Sequence, residues 1–397
     1  MQWLSKLSGR QKIWLVGVVV VALAIAAVGV LHSSREKAPP EITFTMDMTI
    51  QEAADSLEAS RKAFAHELGL PMDVSKNKPI RTLGVTQEKF DHAIHHILSH
   101  RETALKYYLF GALVLFGLVF LVRLGRPDDS PTAERKIWYP RWPYLAALVL
   151  AVALCGFALG KSPNPMEGTV KVFKSMVGLY PSVVDKVVAF VFFAALAVIG
   201  TKLICGWACP FGALQELIYH LPILRKLKKR KLPFWISNSI RCLLFAIMVL
   251  LLFGIVGKGE GFVLYHFVNP FNLFNLDIET VSIGATIVAA LVLSLGFYRP
   301  FCRFICPFGL LSWLLEQVSI FRIRIDRTRC TKCGACVRAC PLNAAKGRLE
   351  GKLLPADCFS CARCLNVCPE DAISYGLVGG NAKSRPEETA LDSDSPA

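Results

Sequence analysis

Two runs, Cys330-Thr-Lys-Cys333-Gly-Ala-Cys336-Val-Arg-Ala-Cys340-Pro341 and Cys358-Phe-Ser-Cys361-Ala-Arg-Cys364-Leu-Asn-Val-Cys368-Pro369, decide how the C-terminal part of this chain folds. Both fit C-x2-C-x2-C-x3-C-P. Three thiolates spaced by two residues wrap one face of a cubane, and the fourth, on a short helix, serves the other cluster. The pattern predicts two [4Fe–4S] clusters, one held by Cys330, Cys333, Cys336 and Cys368 and one by Cys358, Cys361, Cys364 and Cys340. A zinc ribbon would show two C-x-x-C knuckles without the third and fourth cysteines. Phe321–Asp326 alternates as a strand, and Ala372–Tyr375 supplies a counterpart, so a small α+β domain is expected over 323–378. The second half of each run, C-x-x-x-C-P, recurs twice upstream in a far more apolar setting.

The domain resembles the bacterial two-cluster ferredoxin module. Upstream stands a second, less common signal. Cys205-Gly-Trp-Ala-Cys209-Pro-Phe-Gly-Ala-Leu and Cys302-Arg-Phe-Ile-Cys306-Pro-Phe-Gly-Leu-Leu match at both cysteines, at the aromatic between them, and at Pro-Phe-Gly-x-Leu. Each is preceded by an Asn-Pro, at Asn164-Pro165 and Asn269-Pro270, which predicts a parallel internal repeat. Pro210 and Pro307 suit the first turn of a helix, placing Cys209 and Cys306 at helix starts. A two-fold repeat would bring Cys205, Cys209, Cys302 and Cys306 to one redox or additional metal site. Three readings stay open: a further metal or iron–sulfur site, dithiol or soft-metal chemistry, and packing by small side chains. Cys155 and Cys242 stand alone in apolar segments and are expected to be buried.

The composition places these motifs in a membrane. Of 397 residues, 53% are hydrophobic and 19% charged, with a mean hydropathy of +0.44, which excludes an ordinary soluble enzyme. Six apolar stretches read as spans: Ile13–Leu31, Tyr107–Val122, Tyr144–Gly160, Val183–Leu203, Cys242–Val256 and Val281–Phe297. Lys106, Arg123, Lys186 and Lys202 sit at span ends, where long basic side chains reach the interface. Alternate connections are basic, above all Arg225-Lys-Leu-Lys-Lys-Arg-Lys231, so both termini and the cysteine motifs are expected on the cytoplasmic side. This accounts for most of the net charge of +15, and no nucleic-acid partner is expected.

The expected division is a transmembrane anchor over 1–32, a small extracytoplasmic helical module over 33–104, and a five-span membrane domain over 105–322. The cluster domain follows at 323–378, then a polar, disordered tail over 379–397. Thr49 with Glu52 makes a capping box, and a second helix begins near Thr86. His92, His96 and His100 share one face of that helix, and His266 lies in an aromatic outer loop that could line a quinone site. The overall fold class is a mainly α-helical membrane protein with a C-terminal α+β two-cluster ferredoxin domain.

Over about residues 140–376 the chain resembles the NapH/MauN family of membrane polyferredoxins and the membrane half of NosR-type proteins. The motifs that carry the likeness are the two C-x-x-x-C-P pairs and the two C-x2-C-x2-C-x3-C-P runs. The resemblance implies location in a bacterial cytoplasmic membrane and electron relay between the clusters, the membrane-face cysteines and a quinone or an extracytoplasmic redox partner. Its rival is a membrane reductase of copper or protein thiols in metalloenzyme maturation; a third reading is an assembly component with structural clusters. The 33–104 segment is shorter than the flavin-binding domain of NosR-type proteins, so covalent flavin is not expected.

Overall fold

The structure, a computed structural model, describes residues 44–57, 64–65, 67–71, 78–99, 104–124, 141–179, 183–224, 228, 231–255, 262–276, 280–352 and 354–378. The stretch Ile13–Leu31, the tail over 379–397 and His100 lie outside these residues, as does the side chain of His96.

The described residues begin with two helices, α1 (Ile50–Ser56) and α2 (Gln87–Ser99). The Thr49 hydroxyl accepts the Glu52 amide, and the Glu52 carboxylate accepts the Thr49 amide at 2.9 Å, which is the expected capping box. Ile50, Ala53, Ala54, Phe64, Ile80 and Phe90 form a separate small core beneath these helices. The Thr49 contacts hold the Glu52 carboxyl below its ordinary pKa. A depressed carboxyl contributes stability at neutral pH that is lost as pH falls through the folded-state value. Thr49→Ala is expected to remove about 1 kcal/mol of α1 stability. Amide hydrogen exchange over 50–57 should show faster exchange in the variant and a smaller difference in acid.

A helical body follows: α3 (Ala104–Leu124), α4 (Arg141–Leu150, continuing as a π-helix over Ala151–Ala158), α5 (Pro165–Met176), α6 (Val183–Ile199), α7 (Pro210–His220), α8 (Phe234–Leu252), α9 (Val281–Ser294), α10 (Pro300–Phe304) and α11 (Pro307–Glu316). Among the described residues, two helices are long and apolar enough to cross a membrane, within Leu105–Val122 and Phe234–Leu252. Pro143–Ala158 and Val281–Ser294 are apolar but shorter. Val184, Val188 and Val191 on α6, Leu243 on α8, and Val288 and Val292 on α9 are exposed apolar side chains, the outward face an apolar solvent would wet.

Between α4 and α9, short segments tuck back among the helices. Asn164 caps α5 by accepting the Glu167 amide at 2.8 Å, with Pro165 at the first helical position. Asn269 and Pro270 start the 3-10 turn Pro270–Asn275 in the same way. Phe271 and Phe274 of that turn pack in one core with Met166, Cys209, Phe211, Met248, Tyr265 and Phe301. Lys106 and Lys202 are fully buried rather than reaching the interface: Lys106 donates to the Gly160 carbonyl, and Lys202 enters an ion pair described below. Cys155 is buried as expected, whereas Cys242 is exposed on α8.

The C-terminal lobe pairs β1 (Phe321–Ile325) with β2 (Ile373–Leu377) in an antiparallel ribbon, register Ile323↔Tyr375. Short helices α12 (Ala335–Ala339), α13 (Ala344–Leu349) and α14 (Arg363–Asn366) lie between them. The ribbon is tied to the end of α6, where the Ile320 amide donates to the Val198 carbonyl at 2.9 Å and Thr201 bonds the Phe321 carbonyl. This fastens the cysteine-rich lobe to the helical body.

Candidate iron–sulfur and thiol site

Each cysteine run folds as turns ending in a short helix. Cys336 lies in α12 and Cys364 in α14, and Cys340 and Cys368 follow the helix ends. The eight thiols divide between two cavities. One is lined by Cys330, Cys333, Cys336 and Cys368, the other by Cys340, Cys358, Cys361 and Cys364. Four cysteines line each cavity, together with Asp357 in one and Glu370 in the other, and four thiols are the donor set a cubane takes. The two sets differ in exposure. Cys333 is exposed and Cys330 half-buried, whereas Cys358 and Cys364 are buried against the helical body.

The four remaining motif cysteines meet one another. Cys205, Cys209 and Cys302 are buried and Cys306 is half-buried, and each thiol lies within electrostatic reach of the other three. The backbone explains how. Ile204–Ala208 is a π-turn, and the Cys209 amide donates five residues back to Ile204 at 2.7 Å. The Cys306 amide does the same to Phe301 at 3.1 Å. Pro210 and Pro307 then open α7 and α11 at the first helical position. The glycine of each Pro-Phe-Gly allows close return of the chain: a Cβ on Gly212 would lie 2.9 Å from the Cys205 carbonyl oxygen, and one on Gly309 would overlap that of Cys302. The Gln215 side-chain amide donates to Cys302 Sγ at 3.4 Å and accepts the Phe301 amide at 3.0 Å, tying one motif to the other.

The first motif touches the second cysteine run. Trp207 Nε1 donates to the Ser360 carbonyl at 3.1 Å, and the Ser360 hydroxyl donates to the Thr201 carbonyl at 2.7 Å. Trp207 is seated against Gly117 of α3, where a Cβ would come within 2.8 Å of its ring. Phe359, between Cys358 and Cys361, is covered by two cations: Lys202 at 5.2 Å and Arg299 at 5.0 Å from the ring centre. Trp207→Phe is expected to keep the ring and lose the hydrogen bond, about 1 kcal/mol. Proteolysis rates across 355–365 in the folded chain would check it.

Sequence reasoning missed the charges that line this contact. Lys202 and Arg299 each stand three residues before the first cysteine of their motif, and both adopt a left-handed backbone, φ 55° and 47°. Each reaches across to the other motif. Lys202 donates to the Gly309 carbonyl at 3.1 Å and pairs with Asp357; Arg299 donates to the carbonyls of Cys205 and Gly206 and pairs with Glu216 at 3.0 Å. Arg241 of α8 bonds the Gly309 carbonyl and pairs with Asp357 at 3.1 Å. Arg363 pairs with Glu216 at 2.6 Å, and Arg348 with Glu316 at 2.8 Å. The other Glu316 oxygen accepts the Cys358 amide at 3.1 Å. Five cations thus face three carboxylates, which leaves a surplus of positive charge around the buried cysteines. The shared Lys/Arg-x-x-Cys spacing was the available signal.

The comparisons agree with this layout. A 4Fe-4S binding domain model matches twice, at 187–231 and 280–327, once over each C-x-x-x-C-P motif. A second 4Fe-4S binding domain model matches 323–346. An uncharacterized protein of Methanocaldococcus jannaschii is 30% identical over 202 residues, 50% of this chain and 81% of that protein. The putative electron transport protein YccM of Escherichia coli is 28% identical over 45% of this chain and 52% of its own length. The ferredoxin-type protein NapH of Haemophilus influenzae is 31% identical over 41% of this chain and 58% of its own. The chain thus spans a little over half of these last two relatives. No solved structure gives a significant match. The matched 4Fe-4S models support an iron–sulfur protein, and the relatives together with two apolar helices of spanning length support association with a membrane. The chain belongs to the NapH/MauN-type family of ferredoxin-type proteins.

Proposed function

We propose that this chain is a multi-pass membrane relay. In this reading its cytoplasmic lobe carries two [4Fe–4S] clusters and exchanges electrons with the Cys205/Cys209/Cys302/Cys306 site, and a quinone or an extracytoplasmic redox partner completes the path. The observation that carries it is the docking of the Cys205–Cys209 turn on the Cys358–Cys361 loop through Trp207 and Ser360. A relay needs its sites in contact and shielded from water, and both sides of this contact are buried. The names of the relatives, which speak of electron transport and ferredoxin-type proteins, favour the relay over the reductase alternative.

The set Cys330, Cys333, Cys336 and Cys368 would hold the outer cluster, and Cys358, Cys361, Cys364 and Cys340 the inner one. Bound there, iron–sulfur cubanes supply one-electron redox chemistry. The chain's own residues hold the thiols in place, and Lys202, Arg241, Arg299, Arg348 and Arg363 offset their negative charge. The reading also takes in about six spans, both termini in the cytoplasm and a parallel two-fold repeat. Equivalent backbone turns at Cys209 and Cys306, the paired left-handed residues Lys202 and Arg299, and the double match of one family model support the repeat. The domain divisions at 32, 104, 322 and 378 belong to the same proposal.

Iron and acid-labile sulfide content, with EPR, on anaerobically purified protein tests it. About eight irons in both wild type and Cys205→Ser/Cys302→Ser would fit two cubanes, leaving the four thiols free for dithiol or soft-metal chemistry. About twelve, falling to about eight in the variant, would make the four thiols a third cluster. Markedly fewer than eight in wild type contradicts the assignment.

A further inference from the structure

The two cysteine sets are unlike in their surroundings, and the difference has a direction. The Cys340/Cys358/Cys361/Cys364 set is packed on the helical body, while Cys333 of the other set reaches the surface. Around Cys333 the exposed charges are mostly positive. Lys332 and Arg338 are exposed and Arg329 is half-buried, whereas the exposed Arg327 lies against Gly351, away from Cys333. Arg338 donates to the Cys333 carbonyl at 3.1 Å, so its guanidinium lies beside that turn. Among the described residues no carboxylate lies within salt-bridge distance of Lys332 or Arg338. The acidic groups on this side are Asp326, in electrostatic contact with Arg329, and Glu370 and Asp371 after the second run.

A second, independent contact brings more positive charge to the same place. Lys231, the last residue of the basic run 225–231, donates to the Val337 carbonyl at 2.5 Å. Val337 follows Cys336 in α12. The run therefore ends against the helix that carries a ligand of the outer set. A run needed only to hold the loop in the cytoplasm would require no contact with that helix. Val367 and Pro369, flanking Cys368, are exposed and add a small apolar patch beside the basic rim. A basic rim around a partly exposed redox ligand, with a small apolar centre, is the complement of an acidic carrier surface.

We infer that the face around Cys333, formed by Lys332, Arg338 and Lys231, is the docking surface for a small soluble acidic one-electron carrier protein of the ferredoxin type. The inference rests on the relay reading and adds to it the point where electrons enter. In the step, the reduced carrier loses one electron and the chain gains one, with no bond made or broken. Charge attraction steers the carrier onto the exposed end, and the buried set behind it stays out of the carrier's reach.

The test uses full-length protein, with its iron content measured, in nanodiscs of neutral lipid. An acidic [2Fe–2S] ferredoxin is the probe, and binding is read by interferometry at rising salt. The expected result is a Kd that weakens about tenfold or more as salt rises from about 0.05 to 0.5 M. Lys332→Glu/Arg338→Glu should weaken it at least as much at low salt, whereas Arg81→Glu, which reverses one charge on the 44–99 segment, should not. Salt-insensitive binding, equal affinity in the double variant, or an equal loss in Arg81→Glu overturns the proposal. So does a charge effect seen only when anionic lipid replaces neutral lipid, which would assign the basic face to the membrane surface. Iron loss in wild type is a separate result, since it would strike the relay reading and leave the binding measurement interpretable.

Discussion

Gly206→Ala is expected to separate the cysteine-rich lobe from the thiol site while leaving both sets of cluster ligands in place. Gly206 lies inside the first C-x-x-x-C-P motif, and a Cβ there would overlap the backbone carbonyl of Phe359, between Cys358 and Cys361. Backbone cannot swing aside as a side-chain tip can, so the clash must be relieved by moving one loop from the other. Overpacking in a tight core costs about 1–3 kcal/mol, and here the strain falls on a single contact. Trp207, Ser360 and the Arg299 bond to the Gly206 carbonyl are all within it. The expected outcome is near-normal iron content, faster amide exchange across 357–362, and electron transfer to the four-thiol site slowed by about two orders of magnitude, as misplacements near 1 Å can do. Gly376→Ala, where a Cβ meets nothing within 4 Å, should leave all three unchanged.

The second large effect is predicted for Glu216→Gln. This carboxylate is fully buried and pairs with Arg299 at 3.0 Å and Arg363 at 2.6 Å. Glutamine preserves the shape but removes the charge, leaving a fully buried Arg299 without its partner. Breaking a buried pair from one side costs about 3–5 kcal/mol. Denaturant unfolding in detergent should show a loss of that size. Asp47→Asn, which breaks the exposed pair Arg81–Asp47 with both side chains 70% exposed, should cost less than about 1 kcal/mol. Equal losses in the two variants would mean the buried charges around the cysteine loop carry little of the stability.

The two results together bear on what could be read from the chain in advance. Cysteine spacing, strand alternation at 321–326, the capping box at Thr49 and proline at the first turn of α7 and α11 are local patterns, and each survives in the structure. What was not legible depends on residues far apart in sequence. Lys202 reads as an interfacial lysine at a span end, because its partner Asp357 lies 155 residues away. Trp207 reads as an aromatic filler until Ser360 supplies its acceptor. Cys242 sits in an apolar stretch, yet its face of α8 points outward. Hydropathy marks six stretches, but helix length is set by where loops such as 264–275 fold back, and two described helices reach spanning length.

The account's central claim is that electrons placed on the cysteine-rich lobe reach the four-thiol site. Anaerobic reductive titration, counting electrons taken up per chain, tests it most directly. Two cubanes alone accept about two electrons. Wild type is predicted to accept at least one more, and Cys205→Ser/Cys302→Ser, with its lobe intact by EPR, only about two. If wild type and variant accept the same two electrons, the four thiols are not part of the relay and the claim fails.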